Sequence, residues 1–138
     1  MDPFNICAAL AMDHIAVVNP KLNLIEKILN GQKKIESRWL KNKSAPWDKI
    51  KVGEKKYFKD AGKPITAMAE AEKVMETTDM KKAIGLFGSG EWAKGKNYCV
   101  LIWMKNPRRI APFKINKSGF GSATAWLVVE DINKVKII

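Results

Sequence analysis

A chain of 138 residues that is 46% hydrophobic can bury the core of one compact domain and is too short to expect two, so residues 1–138 are expected to form a single domain with its core at roughly 15–131. Its 25 Lys and Arg against 14 Asp and Glu give a formal charge of +11 and an isoelectric point near 9.7, which suits an anionic partner such as nucleic acid better than a neutral small substrate. Cys7 and Cys99 have no pairing pattern and exclude a disulfide scaffold, and no apolar run approaches the roughly 18 residues of a membrane span.

The apolar stretches before Val18 are interrupted by Asp2 and Asp13 and follow no cationic segment, a poor signal peptide. A soluble protein in a reducing, cytoplasmic compartment is the expectation. All but three of the cations, Arg38, Arg108 and Arg109, are lysines spread from Lys21 to Lys136, a distribution that a solvated Lys-rich surface would also have.

In chain order, His14 to Val18 is a short apolar run ended by Asn19-Pro20 and predicts a first strand. Leu22, Ile25, Ile28 and Leu29 recur at helical spacing, so Pro20 to Asn30 is predicted as a helix that Gly31 terminates. A strand follows, on which Lys34, Glu36 and Arg38 alternate with Ile35, Ser37 and Trp39 and so share one face. Residues 41–48, with Ser44, Ala45, Pro46 and Trp47, predict an ordered loop. Tyr57 to Lys59 and Ile65 to Val74 predict two strands joined by the turn Asp60 to Pro64. Thr78 or Asp79 can cap a helix through Leu86 that the glycines of Gly85 to Gly90 break. Tyr98 to Met104 is apolar enough for a buried strand, Asn106 to Arg109 predicts a basic turn, and Ala123 to Val129 a last strand, with Lys134 to Ile138 as an edge or tail.

Several chemistries are set aside. One histidine and two distant cysteines do not make a zinc site, no calcium-type acidic loop is present, and Gly85, Gly88 and Gly90 do not follow a strand in dinucleotide-binding order. No metal or cofactor is expected, and His14, within its apolar run, reads as a satisfied core or edge residue.

The segment Gly31-Gln32-Lys33-Lys34-Ile35-Glu36-Ser37-Arg38 carries the remaining chemistry. As a binding site, Arg38 offers a planar fork to phosphate or a base edge, Lys33 a mobile point charge, and Glu36 an acceptor for an exocyclic amine. Trp39, Trp47 and Trp126 could stack on an unpaired base, or simply pack in the core. Lys59, Lys63, Arg108 and Arg109, in predicted turns, could hold phosphates at a rim. The plain structural alternative is a Glu36–Arg38 ion pair at the mouth of a barrel. As an enzyme, the same site would use a lysine of lowered pKa together with Glu36, with Glu70, Glu72 or Glu76 as a second carboxylate.

The pattern Gly-x-Lys-x-x-Glu-x-Arg after a short helix resembles the signature of the ASCH domain family, a branch of the PUA-like superfamily. Three further pieces are similar to the family's in the same order: Val52-Gly53-Glu54-Lys55-Lys56-Tyr57-Phe58-Lys59, Lys63 to Ala71, and Phe120-Gly121-Ser122-Ala123-Thr124-Ala125-Trp126-Leu127. The resemblance implies an α+β fold, a PUA-like mixed β-barrel of about five to six strands with flanking short helices. It also implies RNA-related work: a module whose pocket, with Lys33, Glu36, Arg38, Trp39, Lys59, Ser122 and Trp126 as candidate ligand-binding residues, accommodates a nucleobase or nucleotide of RNA, single-stranded by preference. The alternative is a small hydrolase of acylated nucleosides or RNA using Lys33 and Glu36. In the amidohydrolase branch a threonine, the expected nucleophile, stands where this chain has Glu36, so Lys33 and Arg38 carry over and the nucleophile does not.

Overall fold

The framework is one six-stranded sheet curled into a half-barrel, described in a computed structural model over residues 11–120 and 125–137. The strands are β1 (Asp13–Val18), β2 (Ile35–Leu40), β3 (Lys55–Asp60), β4 (Ile65–Thr77), β5 (Tyr98–Phe113) and β6 (Trp126–Val129), in the spatial order β2-β5-β4-β3-β1-β6. β1 and β3 run parallel, and every other neighbouring pair is antiparallel. With two short helices, α1 (Leu24–Leu29) and α2 (Met80–Phe87), this is the α+β arrangement expected, a mixed sheet of six strands with flanking short helices.

Period-2 alternation sorts the residues between two faces. Ala16 and Val18 of β1, Phe58 of β3, Ala67 and Ala69 of β4 and Ile102 of β5 point inward, where Ile25 and Ile28 of α1 plug the half-barrel. That helix lies against β5 and β3, and the small alanines of β4, the strand between them, line the same cluster. On the outer face Ile15, Tyr57, Ile65 and Leu127 form a second cluster with Ile132. A third joins Trp39, Cys99 and Leu101 to Ala83 of α2.

Local chemistry explains the boundaries. The helix expected over 20–30 is divided: Pro20–Leu22 is a single 3-10 turn, and Asn23 adopts a left-handed φ of 53° before α1 begins. Asn19 accepts from the backbone N–H of Lys21, and asparagine is among the few side chains that tolerate the left-handed region, so the break costs little. Gly31, at φ 83°, ends α1 as expected. Asp79 caps α2 by accepting from the backbone N–H of Lys82, and Gly88, also left-handed, closes it. The basic turn expected at Asn106 to Arg109 is instead continuous strand. Between the pairs Glu70↔Lys105 and Met68↔Arg108, β5 carries one more residue than β4, so Asn106 and Pro107 are absorbed in a bulge. β2 pairs no farther along β5 than Trp103, so Pro107 lies where that edge of β5 is free and its missing N–H interrupts no ladder. At the chain's end, Ile132–Lys134 forms a 3-10 turn and Lys136 bridges to Ile115. Cys7 and Ser122 lie outside the described residues, among which no helix is long and apolar enough to cross a membrane.

If α1 is the plug of the half-barrel, Ile28→Ala, at a site 2% exposed, should lower stability by about 2–5 kcal/mol in urea unfolding. Asp79→Ala, which removes only a cap on the outer face, should cost about 1 kcal/mol; equal losses would contradict that assignment.

Candidate functional site

The alternation that buries apolar residues on the inner face also buries charge there. On β2, Glu36 and Arg38 face inward while Ile35 and Trp39 face outward. On β3, Lys56 shares the inner face with Phe58. β2 and β3 are not neighbours in the sheet, yet Lys56 Nζ forms an ion pair with Glu36 Oε1 across the interior. Glu36 Oε2 accepts from Arg38 Nη2 at 2.9 Å. Arg38 in turn lies over the ring of Trp126, 5.1 Å from its centroid, and Trp126 belongs to β6, the strand at the far end of the sheet order from β2. Lys56 Nζ is 5.0 Å from the same ring.

Behind Trp126 the network continues. Its indole Nε1 donates to His14 Nδ1 at 3.0 Å, and His14 Nε2 meets Glu54 Oε1 at 2.8 Å. An indole N–H can only donate, so Nδ1 is unprotonated, the proton sits on Nε2, and His14 is a neutral ring donating to the Glu54 carboxylate. Glu54 is held by the backbone N–H of Lys51 at 2.7 Å and of Met12 at 2.6 Å. Burial is the main reason the His14 pKa lies below its usual 6.5, against the pull of Glu54.

Burial also governs the cations. Lys56 has no exposed surface, and desolvation, with repulsion from Lys33, pushes its ammonium well below the ordinary lysine value, while the carboxylate of Glu36 supports the charged form. Arg38 is pushed down to about 10, so it stays charged at neutral pH. Lys33 is lowered by burial and then by Arg38 and Lys27. Among the described residues, Glu36 is the carboxylate that both Lys56 and Arg38 contact. That leaves the centre short of negative charge.

The structure thus brings Glu36, Arg38 and Trp126 together, with Lys33 at the mouth, its Nζ 5.5 Å from the Phe87 ring centroid. Two openings flank Lys33. One is a groove of about 350 Å³ formed by residues 31–35 and Phe87; the other is a pocket of about 230 Å³ between Ile28, Lys34 and Pro107, reaching Met104. The sulfur of Met104 is 3.8 Å from Lys56 Nζ, which links that pocket to the buried centre.

Other expected residues lie elsewhere. Trp39 is on the outer face against Phe87, and Trp47 packs edge-on against Tyr98. Lys59 is on the outer face beside Lys63. Arg108 pairs with Glu70 at 2.8 Å, Arg109 with Glu26, Glu76 accepts from the backbone N–H of Asp48, and Glu72 is exposed. Lys56, Glu54 and the relay role of His14 were not expected. Their signal is the alternation Glu54, Lys56, Phe58, which sets two charged residues on one face with a core phenylalanine; which face looked inward was decided by the curl of the sheet.

The fold is shared with known structures. A crystal structure of an ASCH protein from Zymomonas mobilis superposes with a TM-score of 0.63 at 11% identity over 83% of this chain and 85% of that one. A tyrosine-to-phenylalanine variant of it gives 0.66 at 12% identity over 88% and 94%, and a serine-to-alanine variant 0.66 at 14% over 88% and 92%. No protein-family model and no curated protein matches the sequence. At these identities the likeness establishes the fold, an ASCH-domain fold, and nothing about activity.

The relay makes His14 a reporter. Its folded pKa lies below the unfolded 6.5, so the unfolded chain takes the proton first; His14 costs no stability above about pH 6.5 and erodes it as the pH falls below that value. Trp126→Phe removes the opposing N–H donor and should raise the His14 pKa. The sequence contains a single histidine, so its ring resonances followed by NMR titration read this directly. A wild-type ring titrating at or above 6.5 would contradict the lowering of its pKa by burial.

Proposed function

We propose that this chain, with its ASCH fold, is an RNA-associated binding module that receives a nucleobase or nucleotide of single-stranded RNA at the mouth of the half-barrel beside Lys33 and Arg38. The observation that carries the reading is the state of Arg38. One nitrogen is engaged by Glu36 and the guanidinium is braced over Trp126, while its other N–H donors have no partner among the described residues and 18% of the side chain is exposed. A guanidinium held in this way keeps part of its fork for a phosphate or a base edge and offers a plane on which an unpaired base can stack. Trp126, 4% exposed, acts as the brace rather than as the stacking surface. Lys33 and Lys34, lining both openings, are placed to neutralise phosphates, in keeping with the +11 charge.

Fluorescence anisotropy of a short single-stranded RNA, beside duplex RNA and single-stranded DNA across a salt series, tests this. Single-stranded RNA should bind most tightly, with an affinity that falls as salt rises. Arg38→Ala should weaken binding at least about tenfold, roughly 1.4 kcal/mol, and more than the loss of any one surface lysine. Equal losses from every cation would leave a diffuse charge effect and end the pocket reading.

A second reading is favoured by one feature: a wholly buried lysine of lowered pKa against a carboxylate is the arrangement expected of a proton-transfer pair. On this reading the chain hydrolyses acylated nucleosides: Lys56 in its neutral form, which burial favours, accepts a proton from the water that attacks the acyl carbon and passes it to the leaving group, while Glu36 holds the lysine in place. Lys56→Met leaves Glu36 its Arg38 partner, so the fold should survive while turnover disappears. Absence of turnover by the wild type on any acylated nucleoside would remove this reading and leave the first intact.

A further inference from the structure

The outer face carries a second cationic site that the half-barrel mouth does not explain. The end of β3 and the β3–β4 turn supply Lys59, Gly62, Lys63 and Pro64, and the segment after β5 supplies Lys114, Ile115 and Lys117. Together with Ile137 they enclose a cleft of about 290 Å³ whose described lining holds four lysines and no carboxylate. The cleft is built rather than incidental. Its wall is held by backbone hydrogen bonds from Asn116 N to Val135 O at 2.7 Å and from Ile137 N to Lys114 O at 2.8 Å, with the Ile115↔Lys136 bridge between them.

Lys59 is the informative member. It is 6% exposed, and the polar partner its ammonium has among the described residues is the backbone carbonyl of its neighbour Asp60, at 3.4 Å. Most of its side chain is packed away from water, and an ammonium so held, with no carboxylate within ion-pair distance among the described residues, gives up part of its solvation without a charge to replace it. Burial, and next the charge of Lys117, depress its pKa, against a smaller pull from Asp60. Surface lysines kept for solubility do not need to be buried, and lysines buried for stability are paired. A buried lysine aimed into a lysine-lined cleft is expected where an anion from outside completes the site.

We propose that this cleft is a phosphate-binding site, distinct from the half-barrel mouth, which takes a terminal phosphate or oligophosphate group with Lys59 at its base and Lys63, Lys114 and Lys117 around it. The apolar side chains of Ile115 and Ile137 flank the lysines and leave room for an uncharged part of the ligand next to the phosphates. The group could be carried by a free nucleotide or by the 5′ end of an oligonucleotide, and both present the same chemistry.

The test is calorimetric titration and thermal-shift measurement of the full chain with sodium tripolyphosphate, a nucleoside triphosphate, and one oligonucleotide bearing either a 5′-phosphate or a 5′-hydroxyl. Tripolyphosphate should bind and raise the melting temperature. Lys59→Met, which keeps the aliphatic stem and removes the uncompensated charge, should melt no lower than the wild type without ligand and lose at least tenfold in tripolyphosphate affinity. Lys117→Ala, at a half-exposed site, should weaken binding without disturbing the fold. Lys81→Ala on the exposed face of α2, which removes the same charge elsewhere, should bind as the wild type does. Tighter binding of the nucleotide, or of the 5′-phosphorylated over the 5′-hydroxyl oligonucleotide, supports the site and identifies the carrier. The proposal is overturned if tripolyphosphate fails to bind, if Lys59→Met binds it unchanged, or if Lys81→Ala weakens it as much as the cleft variants do. These measurements need no RNA binding at the half-barrel mouth, so failure of either idea leaves the other standing.

Discussion

The carboxylate of Glu36 is the hinge of the inner face. β2 and β6 are the two ends of the sheet order and share no backbone ladder among the described residues, so the half-barrel has a seam there that the described main-chain hydrogen bonds do not close. Side chains cross it instead. Glu36 reaches from β2 to Lys56 on β3 and holds Arg38, and Arg38 spans to Trp126 on β6. Remove Glu36 and two buried cations face each other with no anion between them, a situation that typically costs about 3–5 kcal/mol.

An apolar seam would be simpler and as stable, since replacing buried ion pairs by well-packed hydrophobic groups is often neutral or favourable. Charge kept at such a place therefore suggests a use beyond stability. The arrangement has the attributes of a prepared site: cations whose pKa values are depressed by burial, a guanidinium with one nitrogen fixed and others unengaged, and a second layer that orients the first. That second layer is the Glu54–His14–Trp126 relay, in which each polar atom has a partner of the right sense, so the indole is held at the angle that supports Arg38.

The outer-face cleft shows the opposite treatment of a buried lysine. Lys56 is balanced by a carboxylate from another strand, whereas Lys59, three residues later on the other face of β3, is left with a backbone carbonyl. Among the described residues, the same strand thus carries one cation paired with a carboxylate and one that is not. Alternation puts them on opposite faces of a single short strand.

Much of this was legible in the residues. The strand carrying Glu36 and Arg38, the β3–β4 hairpin, the Asp79-capped helix and the Gly31 stop follow from period, capping and turn chemistry, which act over a few residues. The same alternation implies that Glu36 and Arg38 share a face that Trp39 does not, and the order of four short segments pointed to an ASCH-type fold before any coordinate. Other features depend on pairings between distant segments. Asn106 and Pro107 look like a turn until the long β4 partner absorbs them as a bulge, and Asn23 divides a helix whose apolar spacing runs unbroken. That Lys56 is the lysine against Glu36, that His14 links Glu54 to Trp126, and that Lys59 joins Lys114 and Lys117 follow from the curl of the sheet and the return of residues 135–137 beside the segment after β5. By itself the sequence determined most of the elements and the charge on each face, because those depend on neighbours in the chain. Only the tertiary structure decided which face turned inward and which charges met, because burial and electrostatic pairing are properties of distances that sequence separation does not encode.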